Sequence, residues 1–178
     1  MTEIQSRWQQ LQQRLPAGVN LLAVSKMQPA SAVRELAACG QRDFGESRVQ
    51  EALPKQEALA DLSDLRWHFI GRLQANKVRS VVKAFSWIHS IDSLALAERS
   101  SRIALEEGRR PSVLFQVKLR PDPSKGGWDP QSLREAWPEL SQLPGLNVSG
   151  LMTMAPLGLD LRERQTLFRD CRNLVDEL

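Results

Sequence analysis

No tyrosine occurs anywhere in the 178 residues, and only two cysteines and two histidines are present. The absence of tyrosine removes the phenol as a proton donor or acceptor in any chemistry the chain performs. Cys39 and Cys171 lie far apart, in no CxxC or Cys/His spacing, so neither a disulfide framework nor a zinc site is encoded. That usage fits a reducing compartment, and a cytoplasmic location is expected. No apolar run approaches the roughly 18–20 residues that cross a bilayer. The first fifteen residues, with Glu3 and several glutamines, lack the apolar stretch of a signal peptide. No G-x-G-x-x-G turn follows the first strand-like run, which weighs against a dinucleotide fold.

What is present reads as an ordinary globular chain: 42% hydrophobic, 25% charged, and a net charge of +3. So small an excess gives nucleic acid or membrane no electrostatic pull, and the tryptophans are scattered rather than spaced as a base-stacking platform. Residues 4–15 place Ile4, Trp8, Leu11 and Leu15 on one helical face. Leu21, Leu22, Ala23 and Val24 then form a short continuous apolar run, the pattern of a strand covered on both faces. Further strand-like runs are expected at 42–45, 65–71, 87–91, 113–119 and 146–152. Helices are expected from Pro29 to Gly40 and at 47–59, 76–85, 94–107, 132–143 and 160–178. Successive strands start 21 to 33 residues apart, the length of a βαβ unit, so the sheet is expected to be parallel and the chain a single domain. The fold is α/β, either an open doubly wound sheet or a barrel.

Ligands of both folds bind at the carboxyl ends of the strands. Lys26 stands out there, directly after an apolar run and before the turn at Pro29. A partly buried lysine is a nucleophile toward carbonyls, and the alternative is a lysine that snorkels or pairs with Glu46. His68 and His89 fall in strand-like runs, where a core or rim histidine is the plainer reading. The segment from Gly71 to Lys77 ends a strand and begins a helix, a place where an anion can bind. A capped helix with a solvated basic face (Lys77, Arg79, Lys83) explains it equally well. Ser124-Lys125-Gly126-Gly127 reads as a flexible loop.

Several segments together, AVSK (23–26), FGES (44–47), WHFIGRLQANK (67–77), WIHSID (87–92), SKGG (124–127) and GLMTM (150–154), resemble the pyridoxal phosphate homeostasis proteins. Those proteins share a barrel with the N-terminal domain of alanine racemase. The resemblance implies a (β/α)8 TIM-type barrel, of which about six βα units lie in this chain. It implies pyridoxal 5′-phosphate, a vitamin B6 form, as cofactor, held as an internal aldimine with Lys26 as the Schiff-base lysine. Ser47, His68 and Met152 complete the expected cofactor-binding set, with no catalytic and no metal-binding residues. Ser47 stands where the family usually has Asn, so any side-chain amide contact to the cofactor becomes a hydroxyl contact or none. Family members are regarded as carriers or regulators of the cofactor without established turnover. Expected partners are pyridoxal phosphate and PLP-dependent apoenzymes, with neither nucleic acid nor membrane, and the full-length form is expected to be a monomer. An alanine-racemase-like enzyme is the first alternative, but a two-base racemase of that kind uses a tyrosine opposite its lysine. A regulatory protein-binding module with a vestigial cofactor is the second.

The resemblance also implies further units beyond Leu178, which carry most of the phosphate cradle. Six units do not close a barrel of eight strands. The runs 21–24 and 146–152 are therefore expected to act as apolar edges that promote association, and cofactor binding by residues 1–178 alone is expected to be weak. Sedimentation and cofactor titration, run beside a longer form, test this; a cooperatively melting monomer with micromolar affinity contradicts it.

Overall fold

In the computed structural model, which describes residues 2–178, the chain divides into two compact units, Met1–Ile70 and Gly71–Leu178. The first unit runs α1 (Glu3–Arg14), β1 (Ala23–Val24), α2 (Ala30–Ala38), β2 (Asp43–Glu46), α3 (Val49–Ala58) and β3 (Arg66–Phe69). Its strands are parallel, with Ala23 beside Phe44 and Asp43 beside Arg66. Side chains alternate across the sheet. Phe44 points toward the helices, where it packs with Val33 of α2, Leu59 and Trp67; the Phe44 and Trp67 rings lie 6.0 Å apart.

α1 is started by a capping box in which Thr2 and Gln5 exchange side-chain and backbone hydrogen bonds. The expected apolar face of α1 is only half realised, since none of its residues is buried and Leu11 is 47% exposed. Trp8 is held instead by a hydrogen bond from its indole N–H to the Gln41 side chain, 2.8 Å. The first strand is shorter than expected because the Leu21 carbonyl accepts from the Gln41 side-chain amide rather than from a ladder partner.

The second unit contains a single 3₁₀ turn (Ala75–Lys77), α4 (Val78–Ala84), β4 (Trp87–Ile91), α5 (Leu94–Glu106), β5 (Ser112–Gln116), α6 (Pro130–Leu140), β6 (Asn147–Met152) and α7 (Leu161–Glu177). β5 lies between β4 and β6, all parallel. Ile88, Ile91, Val113 and Phe115 are fully buried, and Phe115 meets Trp137 of α6 edge-on. The loop at 124–127 is not the free segment expected. Trp128 N–H donates to the Gln116 carbonyl and Lys118 N–H to the Trp128 carbonyl, both 2.8 Å, which folds the loop back onto the end of β5. A Cβ on Gly126 would sit 2.6 Å from an Asp92 carboxylate oxygen, so a side chain there would displace that carboxylate. Among the described residues, no helix is long and apolar enough to cross a membrane.

On the face of the first sheet opposite Phe44, Asp43 accepts two hydrogen bonds from the Arg66 guanidinium, both 2.6 Å, and lies 2.9 Å from His68 Nε2. The guanidinium holds the Asp43 carboxyl below its ordinary value. Burial pushes the His68 imidazole below 6.5, with Asp43 pulling the other way but not prevailing. The folded state therefore resists protonation at both groups, so each contributes stability above its unfolded value that is lost as pH falls. The His68 contribution should fade from about pH 6.5 downward and that of Asp43 from about pH 4, each with a slope of at most ~1.4 kcal/mol per pH unit. Unfolding free energy measured from pH 8 to 3 should show this decline, and His68→Gln should flatten its upper part. A wild-type profile that rises on acidification through 6 contradicts the assignment.

Candidate functional site

The carboxyl ends of β1 and β2 carry a buried polar cluster. Beyond Val24 the ladder gains one more rung, from Ser25 N–H to the Gly45 carbonyl at 2.9 Å. A Cβ on Gly45 would lie 3.1 Å from Ile70 Cδ1 and 3.6 Å from Leu22, so the strands are closely packed at this level. Ser25 and Glu46, which follow this rung, point toward the helices and are buried, Glu46 completely. Ser25 Oγ donates to Glu46 Oε1 at 2.7 Å, and Lys55 Nζ, from α3, donates to the same oxygen at 2.5 Å. Lys55 Nζ also donates to the Ser25 carbonyl at 2.8 Å. Glu46 Oε2 has no hydrogen-bond partner among the described residues.

Lys26 follows directly. The partial burial expected of it is not found: Lys26 is exposed, because it occupies the first central position of a tight turn closed by Gln28 N–H to the Ser25 carbonyl, 3.0 Å. Glu46, the partner considered for Lys26, is paired with Lys55 instead. The next residue, Met27, has φ +62, in the left-handed region that favours glycine. The turn thus presents a primary amine to solvent at the carboxyl end of the sheet.

Ser47 comes one residue after Glu46, half-buried, at the step from β2 to α3. Lys26 and Ser47 each immediately follow a member of the bonded Ser25–Glu46 pair, so the two strand ends bring these two expected site residues into one cluster. His68 lies within β3, buried, with Nε2 against Asp43. Met152 ends β6 in the second unit and is half-buried.

The expected alternative for residues 71–77, a capped helix with a solvated basic face, is only partly found: α4 has no side-chain cap, Lys77 is half-buried, and the other two cations are paired. Arg79 pairs with Glu106 and Glu107, and Lys83 lies 3.4 Å from Glu107. An open cleft of about 1010 Å³ beside this segment is lined by Arg72, Arg99 and Arg102. Two of these arginines are engaged, Arg99 with the Ala75 carbonyl and Arg102 with Glu106. No group of three metal-ligating side chains occurs among the described residues.

Lys55 is the participant that sequence reasoning missed. Its signal is the stripe Val49, Ala52, Lys55, Leu59 on one face of α3, in which the other three are buried and apolar. A lysine in such a stripe requires a buried anion.

Parallel strands with helices between them define an α/β barrel-type protein, and this one carries an exposed amine at a strand's carboxyl end. The family described as alanine racemase, N-terminal domain, matches residues 1–178. A pyridoxal phosphate homeostasis protein of Synechocystis sp. is 48% identical over 161 residues, covering 90% of this chain and 74% of that protein. PipY of Synechococcus elongatus PCC7942 superposes with a TM-score of 0.96 at 55% identity, covering 98% of this chain and 81% of that one. The same protein solved with PLP bound gives 0.94 at 54% identity over the same shares. An alanine racemase of Clostridium difficile shares the fold at 15% identity, with a TM-score of 0.77 over 98% of this chain and 47% of that one. The chain belongs to the alanine racemase N-terminal domain family and, within it, to the pyridoxal phosphate homeostasis proteins. The barrel expected from the sequence is the fold class observed.

The Lys55–Glu46 pair generates a direct stability test. Removing one member of a buried ion pair costs about 3–5 kcal/mol, whereas replacing both by neutral groups of similar size is often close to neutral. Urea unfolding should show Lys55→Met destabilised by that amount and the double variant Lys55→Met/Glu46→Gln recovering most of it. If the double variant is as unstable as the single one, the two charges are not coupled.

Proposed function

We infer that this protein holds pyridoxal 5′-phosphate as an imine on Lys26 and serves the homeostasis of that cofactor in the cytoplasm, passing it to PLP-dependent apoenzymes without turning over a substrate. The observation that carries this reading is the exposed Lys26 amine on a strained turn at the carboxyl end of the sheet. The likeness to PipY, which has been solved with PLP bound, supports the choice of aldehyde. Residues 1–178 act in this reading as one cofactor-binding domain, with Ser47 beside Lys26 as a hydroxyl contact.

The exposed Lys26 amine suits the aldehyde of the group. An amine condenses with an aldehyde by adding nitrogen to the carbonyl carbon and losing its oxygen as water, and the reverse step needs only water. An exposed amine gives incoming aldehyde and departing cofactor the same open path. When bound, the cofactor supplies an electron sink, and using it on amino acids requires a base poised near Cα. The two carboxylates of β2 are committed elsewhere, Glu46 to Lys55 and Ser25, and Asp43 to Arg66 and His68. The absence of tyrosine removes the second base of a two-base racemase.

Lys26→Ala should abolish the imine absorbance of the protein mixed with pyridoxal phosphate while leaving its melting temperature near wild type, because an exposed side chain contributes little packing. Retention of that absorbance in Lys26→Ala contradicts the assignment. Deuterium incorporation at Cα of alanine in heavy water should not exceed the Lys26→Ala control. Turnover of about 1–10 per second, ordinary for an enzyme, would overturn the carrier reading.

A further inference from the structure

Two features around Lys26 are unexplained by holding a cofactor alone. The first is the left-handed Met27, φ +62. Such backbone is unfavourable for a residue with a Cβ and persists only where the surroundings over-determine it. Packing does not offset it, because Met27 is 85% exposed. The second is the burial of a charged pair, Glu46 and Lys55, behind a solvent-facing turn, with Glu46 Oε2 left without a partner among the described residues. A buried ion pair is weak as a source of net stability, so its presence here asks for another role.

The two features meet at Ser25. Its N–H donates to the Gly45 carbonyl, its hydroxyl to Glu46 Oε1, and its carbonyl accepts from both Lys55 Nζ and Gln28 N–H. Every polar group of the residue preceding Lys26 is therefore fixed, three of these contacts reaching across to β2 and α3. On the other side of the turn, Gln28 precedes Pro29, which restricts it to extended conformations, and α2 begins at Ala30. With both ends clamped, only the two central residues are left to close the turn, and the left-handed conformation falls on Met27.

We propose that Glu46 and Lys55 are positioning residues for Lys26: the buried pair grips Ser25, enforces the strained turn and so pre-orients the Lys26 amine for imine formation. The proposal rests on the reading of Lys26 as the imine-forming residue. Neither Glu46 nor Lys55 touches the cofactor in this account; both act through Ser25. A pre-ordered amine forms its bond without first losing backbone freedom, which strengthens the imine equilibrium.

The test uses the full chain, pyridoxal phosphate as probe and borohydride to trap the imine, with the trapped lysine found by peptide mapping. In the wild type, pyridoxyl on Lys26 is the expected result. Its appearance on another lysine overturns the reading of Lys26 itself, and the positioning role with it. Two variants then decide the positioning role separately. Lys55→Met/Glu46→Gln removes the grip while leaving no buried charge, and Met27→Gly removes the conformational restriction while leaving the grip intact. Both should still be trapped at Lys26, but with the half-saturating cofactor concentration raised about tenfold, the loss expected for roughly one net hydrogen bond of ordering. A purely structural role predicts otherwise: Met27→Gly would melt no lower than wild type and saturate at the wild-type concentration. Wild-type saturation in the folded double variant overturns the proposal; if the double variant does not fold, Met27→Gly decides alone by the same criterion.

Discussion

The hydrogen bonds that converge on Ser25 from Glu46 and Lys55 tie together the three elements on which the site of the first unit depends: the end of β1, the end of β2 and the buried face of α3. Parallel strands bring their carboxyl ends together but leave those ends as loops, and loops are mobile unless their backbone groups are committed. Here the commitment comes from a charged pair that burial makes costly to break singly. Lys55 reaches Ser25 from thirty positions along the chain, so the turn carrying Lys26 inherits the rigidity of a helix rather than the freedom of a loop.

The first unit places two lysines in opposite settings. Lysine is buried at position 55 and exposed at position 26. One is hydrogen-bonded to Glu46 and to the Ser25 carbonyl; the other faces solvent. Glu46 and Asp43, each bonded to a cation, are poorly placed to shuttle protons.

Most of the fold was legible from hydrophobic periodicity. The run at 87–91 appears as β4, Trp87–Ile91, and the helix expected at 94–107 appears as Leu94–Glu106. Misjudgements fall where long-range hydrogen bonds overrode local pattern. Leu21 and Leu22 looked like strand, yet Gln41 captures the Leu21 carbonyl and β1 shrinks to two residues. Trp8 looked like core, yet α1 lies half in solvent and the indole is held by Gln41. The loop at 124–127 looked free, yet Gly126 and Trp128 fold back against Asp92 and the end of β5. The place of Lys26 at the carboxyl end of β1 was legible because a charge comes soon after the apolar run 21–24, whereas its exposure was not, since the turn depends on Met27 adopting a left-handed conformation. Lys55 was hidden because periodicity marks a buried position without naming the partner that neutralises it.

The most direct measurement is a crystal structure of the protein soaked with pyridoxal phosphate and reduced with borohydride. It should show continuous density from Lys26 Nζ to the cofactor, Met27 still left-handed, and the Ser25–Glu46–Lys55 hydrogen bonds intact. Cofactor joined to another lysine, or a turn that has relaxed to an ordinary conformation when the bond is made, would contradict the account.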